Sequence, residues 1–173
     1  MPEAALYPRF AEAGVVEALA DSPVVLLHGP RQCGKTTLAK LVGARKGYAY
    51  ITFDDDVARE AAESDPAGFV GRLPPRVILD EVQRVPSLFT AIKAAVDRRR
   101  DPGRFLLTGS ANVLLVPRLA DSLAGRMAIQ RLHPLSQAEL ARRRPSFLDT
   151  LFGGGFKARR TDRLTREQWP GSK

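Results

Sequence analysis

Gly29-Pro30-Arg31-Gln32-Cys33-Gly34-Lys35-Thr36 has the spacing G-x-x-x-x-G-K-[ST], which suits it to hold a chain of phosphates. Glycines let the backbone turn tightly enough for several N–H groups to point at one anion. A helix opening at about Lys35 would add its positive N-terminal end. In such a loop the Lys35 ammonium reaches the β- and γ-phosphates, and the Thr36 hydroxyl can ligate Mg²⁺. With Thr37, the residues from Gly29 onward form the expected nucleotide-binding set. The plain alternative, a glycine-containing strand–helix turn without a ligand, is disfavoured because an apolar run precedes the motif and a helical pattern follows it.

A phosphate loop needs a second anion to hold its metal, and Val77-Ile78-Leu79-Asp80-Glu81 ends an apolar run with two carboxylates. Ligands in open α/β sheets sit at such carboxyl ends of strands. Asp80 is expected to orient Mg²⁺ through water. Glu81, the next residue, is expected on the other side of the strand terminus, where it could polarise a water for attack on the γ-phosphate. Leu106-Leu107-Thr108-Gly109-Ser110 ends another apolar run with two hydroxyls. These would either bind the attacking water or γ-phosphate, or form a turn with Ser110 as a helix cap.

Arg126 and Arg118 are candidates for stabilising transition-state charge, against the commoner reading of solvated surface arginines. Arg31, inside the loop, is close enough to touch a nucleotide or a neighbouring subunit. Cys33 beside a helix N-terminus could have a lowered pKa, but a small filler beneath the loop is the simpler role. His28 and His133 make no metal spacing. Phe156 and Trp169, set among basic residues, read as lone aromatics of a polar tail rather than as a stacking platform.

The elements that must position these groups alternate. Strand-like runs at 24–27, 48–53, 77–79, 104–107 and 127–132 are separated by helical patterns at 36–45, 57–64 and 87–97. The acidic run Asp54-Asp55-Asp56 is placed to cap the helix after it. This order predicts a parallel sheet sandwiched by helices. Residues 1–21 read as a helical lead-in and Ser136–Arg144 as a short helix. Residues 1–141 are thus expected to form the core, and the polar stretch 142–173 a basic tail or the start of a second domain.

The chain has 173 residues, enough for one domain. Its net charge is +8, of which +6 falls in residues 142–173 (nine Lys/Arg against three Asp/Glu), so the core is ordinarily balanced. One cysteine excludes an internal disulfide and a four-cysteine zinc site. No apolar run approaches the roughly 20 residues needed to span a bilayer, and Met1–Phe10 lacks the order of a secretory signal. A cytoplasmic location and no membrane partner are the expectations.

Six separated blocks together resemble one family: Tyr7-Pro8-Arg9, the loop from Gly29, Leu79-Asp80-Glu81-Val82-Gln83-Arg84-Val85-Pro86, Leu107-Thr108-Gly109-Ser110-Ala111, Ser122-Leu123-Ala124-Gly125-Arg126 and Leu132-His133-Pro134-Leu135-Ser136. They resemble the AAA-like P-loop ATPases of bacteria and archaea, in which the ATPase core precedes a C-terminal domain of unknown function. The resemblance covers about residues 5–156. It implies an additional-strand P-loop NTPase fold with sheet order 5-1-4-3-2, and ATP with Mg²⁺ as ligands. It also implies Asp80 and Glu81 as the metal and water-activating carboxylates, Thr108 or Ser110 as the γ-phosphate sensor, and Arg126 as a family-typical position. Gln83 and Arg84 match the block without a physical role. Gly154-Gly155-Phe156 matches the start of the second domain, but Lys157 stands where a proline is expected. A truncated or frameshifted reading frame, or a stand-alone core, is the expectation. Function is read as Mg²⁺-dependent ATP binding and slow hydrolysis. The alternatives are a nucleotide-gated binding module and a nucleic-acid-associated ATPase using its basic tail. A homo-oligomer and an unidentified protein partner both remain open.

Overall fold

The computed structural model describes residues 7–110 and 123–141. Arg118, Ser122, Phe156, Trp169 and the tail from 142 lie outside the described residues. The elements run α1 (Ala11–Asp21), β1 (Val24–Gly29), α2 (Lys35–Lys46), β2 (Ala49–Thr52), α3 (Asp56–Ser64), α4 (Pro66–Arg72), β3 (Val77–Asp80), α5 (Leu88–Arg98), β4 (Phe105–Ser110), β5 (Met127–Arg131) and α6 (Gln137–Ala141). A 3-10 turn at Val82–Arg84 follows β3.

The five strands are parallel and pair in the order β2-β3-β4-β1-β5, which is the expected 5-1-4-3-2. The central strands are apolar on both faces because both faces are covered. Val24, Leu26, Val77, Leu79, Phe105 and Leu107 face the layer of α3, α4 and α5, meeting Ala62, Val70, Leu88 and Ile92. Their neighbours Val25, Leu27, Ile78 and Leu106 face α1 and α2, meeting Val15, Leu19, Leu38 and Val42. Each such side chain contributes about 1.5–3 kcal/mol on burial, so two cores clamp the sheet from both sides.

Local signals set the connections. Asp55 Oδ1 accepts from the N–H groups of Val57 (2.8 Å) and Ala58 (3.3 Å), capping α3 as the acidic run predicts. Asp65 caps α4 through the Gly68 N–H at 2.8 Å, with Pro66 at the first helical position. β4 runs longer than the sequence suggests: Thr108, Gly109 and Ser110 remain in the strand, in register with Leu27, His28 and Gly29. They are not a capped turn.

The chain divides into two compact units. Arg9–Leu135 holds the whole sheet; the other includes the described residues Tyr7, Pro8 and Ser136–Ala141. In the latter, Ser136 and Glu139 form a capping box at α6. The Ser136 hydroxyl accepts from the Glu139 N–H (3.2 Å), and Glu139 Oε2 accepts from the Ser136 N–H (2.9 Å). Among the described residues, no helix is long and apolar enough to cross a membrane.

Candidate functional site

The loop between β1 and α2 begins where β1 runs out against the segment after β5. Leu132 N–H donates to the His28 carbonyl at 2.7 Å. A Cβ on Gly29 would lie 2.1 Å from the Leu132 carbonyl oxygen, so only glycine fits there. Gln32 (φ 61°) and Gly34 (φ 94°) then take left-handed conformations that coil the backbone, and α2 starts at Lys35. Cys33 is buried under the loop, in the filler role.

The loop frames a cavity of about 400 Å³ lined by Arg31, Gln32, Gly34, Lys35, Thr36, Thr37 and Glu81. That is room for a small anionic ligand. Lys35 is only 5% exposed, and its ammonium donates to the carbonyls of Gly29 (3.2 Å) and Pro30 (2.8 Å). The Thr36 hydroxyl donates to Asp80 Oδ1 at 3.0 Å. The helix and strand candidates, 44 residues apart, therefore meet directly.

Asp80 is 3% exposed. Besides Thr36, its carboxylate accepts from the Tyr50 hydroxyl at 2.8 Å and from the Thr108 hydroxyl. Three hydroxyls from α2, β2 and β4 thus make its burial affordable to the fold. Burial and this donation to Asp80 push the Tyr50 phenol up to about 12. At the loop entrance His28 is pushed down, chiefly by burial and then by nearby Arg131, His133 and Lys35.

Glu81 reaches the cleft by a route that strand geometry does not predict. β3 ends at Asp80, and Glu81 adopts φ 58°, ψ 43°, a left-handed conformation uncommon for a side-chain-bearing residue. An extended Glu81 would face the opposite side of the sheet from Asp80. The kink turns it back to share the cavity with Lys35 and Thr36. Its carboxylate accepts from the Gln83 side-chain amide and from the Ser110 hydroxyl (3.2 Å). Gln83 also donates to Ser110 Oγ at 2.9 Å, closing a three-residue ring at the ends of β3 and β4.

Two expected site residues lie away from the lining of the cavity. Thr108 is fully buried behind Asp80, and its oxygen also accepts from the Glu81 N–H (3.3 Å). It supports the carboxylates and does not line the cleft. Arg126 lies just before β5, whose Met127 pairs with Val24 at the start of β1. With about 3.3 Å of rise per strand residue, that is roughly 17 Å or more from Gly29. Arg126 is ion-paired with Asp97 at the opposite, amino-terminal end of the strands. It is not among the residues lining the cavity.

Three contributors went unrecognised. Tyr50 looks like an ordinary strand aromatic until β2 pairs with β3. Gln83 carried a signal, an amide two residues past a paired carboxylate, but its partner Ser110 is 27 residues away. Arg9 donates to the Cys33 carbonyl at 2.7 Å, and only its place in the Tyr7-Pro8-Arg9 block hinted at a role.

Comparison with known proteins shows what the chain is similar to. The sequence profile of the AAA domain matches residues 21–141. The chain is 43% identical over 129 residues to an uncharacterized protein of Mycobacterium tuberculosis, Rv2008c, and equally to uncharacterized protein Mb2031c of Mycobacterium bovis. The match covers 74% of this chain and 29% of each relative, so the chain spans under a third of their length. Among solved structures, the Walker-type ATPase PABY2304 of Pyrococcus abyssi superposes with a TM-score of 0.56 at 17% identity, over 79% of this chain and 56% of that one. At that identity the likeness speaks for the fold alone.

Proposed function

The chain belongs to the AAA domain family, a family of nucleotide-binding ATPase-type cores, and on that premise we propose that it binds ATP with Mg²⁺ in the cleft between the β1–α2 loop and Glu81 and hydrolyses it slowly. The observation carrying this reading is the 3.0 Å contact between the Thr36 hydroxyl and the buried Asp80 carboxylate, beside a buried Lys35. Oxygen donors of this kind suit Mg²⁺, which takes one or two protein ligands and leaves the rest to water and phosphate. Among the described residues no group of three or more His, Cys, Asp or Glu could hold a metal ion, so a shared site with the triphosphate is the fitting arrangement. When bound, Mg²⁺ would be held by the Thr36 hydroxyl and by Asp80, and it would offset the negative charge of the phosphates.

Each residue then has a task. Loop N–H groups and the N-terminus of α2 bind the phosphates. The Lys35 ammonium exchanges loop carbonyls for β- and γ-oxygens. Asp80 holds Thr36 and would help hold the metal when it is bound, and Tyr50 and Thr108 hold Asp80. Glu81 accepts the proton of the attacking water. Arg31 is the one arginine lining the cavity among the described residues. Without a well-placed arginine, P-loop sites lose a factor of about 10³–10⁵ in rate, which is why turnover is expected to be slow. Phosphate release by wild type beside Lys35→Ala and Glu81→Gln tests the reading. Equal release from all three overturns it.

A second reading has its own observation. The Glu81 carboxylate is already engaged by Gln83 and Ser110, which suits a module that binds ATP and signals occupancy without turnover. Tight Mg²⁺-dependent binding with no phosphate release would select it. A nucleic-acid partner for the basic tail predicts steeply salt-dependent affinity that is lost on deleting residues 142–173.

A further inference from the structure

We propose that Arg9 is a positioning residue for the phosphate loop, holding the peptide between Cys33 and Gly34 so that the Gly34 N–H faces the cleft. This deepens the nucleotide-site reading and rests on it. Arg9 Nη1 donates to the Cys33 carbonyl at 2.7 Å, and Nη2 donates to the His133 carbonyl at 2.5 Å. These acceptors are 24 and 124 residues away in sequence. One planar guanidinium thus ties the loop to the segment that leaves β5.

The direction of the grip matters. A peptide unit is planar and trans, so its C=O and N–H point opposite ways. A donor holding the Cys33 oxygen from outside aims the Gly34 N–H away from itself, and Gly34 lines the cavity. Gly34 sits at φ 94° immediately before α2, a left-handed conformation that glycine adopts without steric cost. Arg9 also approaches so closely that a Cβ on Gly34 would stand 3.1 Å from Nη1. The φ of 94° is what calls for glycine here, and the guanidinium packs into the space that a side chain would take. His133 anchors the other half of the fork next to Leu132, whose carbonyl already packs on Gly29. Both ends of the loop are therefore registered against the same short segment after β5.

Lysine would keep the charge but has no fork to span two carbonyls. That separates positioning from simple attraction of an anion. The test uses the full chain as wild type, Arg9→Ala and Arg9→Lys. Amide hydrogen exchange without nucleotide is read for the peptide spanning 29–37, and ATP affinity is read with Mg²⁺ present. Exchange in 29–37 should quicken in both variants, with β3 unchanged as the control for folding. ATP affinity should fall on the order of tenfold or more in both, matching the loss of charge-assisted hydrogen bonds. Unchanged exchange in 29–37 overturns the proposal, whatever the affinity does. So does wild-type behaviour of Arg9→Lys. Wild type that fails to bind ATP while the variants still quicken exchange removes the nucleotide reading and leaves the loop role of Arg9 standing.

Discussion

The two ends of the parallel sheet are built from opposite chemistry. At the carboxyl ends of the strands, Lys35, Asp80 and Thr108 are buried and bonded to one another's surroundings. At the amino ends arginines gather: Arg76, Arg98, Arg99 and Arg100 are exposed, and Arg104 and Arg126 half-buried. They settle on nearby carbonyls and acids, as Arg100 does on Gly125 at 2.7 Å, Arg99 on Asp101 and Arg76 on Lys46. Helix direction explains the contrast. The carboxyl pole receives the N-terminus of α2, which favours an anion; the amino pole receives the C-termini of α2 and α5, which favour cations. A basic group at the amino pole is therefore the ordinary case, and Arg126 lies there.

Substitutions that weigh one pole against the other give a graded series. The largest effect is expected from Glu81→Gln, which keeps the side chain's shape but removes its charge and the proton acceptor. Steady-state phosphate release should drop by about 10²–10⁴, with ATP affinity retained by calorimetry. Lys35→Ala should act on binding, weakening ATP on the order of tenfold to a hundredfold in the same titration. Unchanged affinity there would erase the distinction between the poles.

Tyr50→Phe lies between function and stability. It removes the 2.8 Å bond to Asp80 and should cost about 1 kcal/mol in denaturant unfolding. It also has a pH signature. The folded phenol stands at about 12 against 10.0 for a free one, so the folded state holds its proton more tightly. The associated stability is complete below pH 10 and is lost as pH rises towards 12. Wild type should show this alkaline decline, and Tyr50→Phe should lack that part of it. The smallest effect belongs to Arg126→Ala. Its ion pair with Asp97 is partly exposed, so stability should change by no more than about 1 kcal/mol, and ATP turnover of the isolated chain should stay as it was.

The strands were legible as apolar runs, but their order in the sheet came only from the family resemblance, which the observed pairing matches. Cap residues such as Asp55 were legible too, since a cap acts within three residues of itself. The ends of elements were less so. β4 continues through Thr108-Gly109-Ser110 because β1 pairs with it to Gly29, and a hydroxyl–glycine–hydroxyl stretch taken alone resembles a turn. Glu81 was identified as a cleft carboxylate for an incomplete reason. Extended geometry sends it away from Asp80, and a left-handed residue brings it back.

What the chain's own order of residues determined is the phosphate-type turn, the strand-borne carboxylates and the alternation that builds a two-sided core. Each arises from interactions within a few positions, where side-chain type and backbone freedom suffice. Only the folded arrangement decided which of these groups share a cavity. It set Tyr50 and Thr108 on Asp80, Gln83 on Glu81, Arg9 on Cys33 and His133, and Arg126 at the far pole. Those pairings span tens of residues and depend on strand register and helix direction, which are properties of the packed sheet and of no single segment.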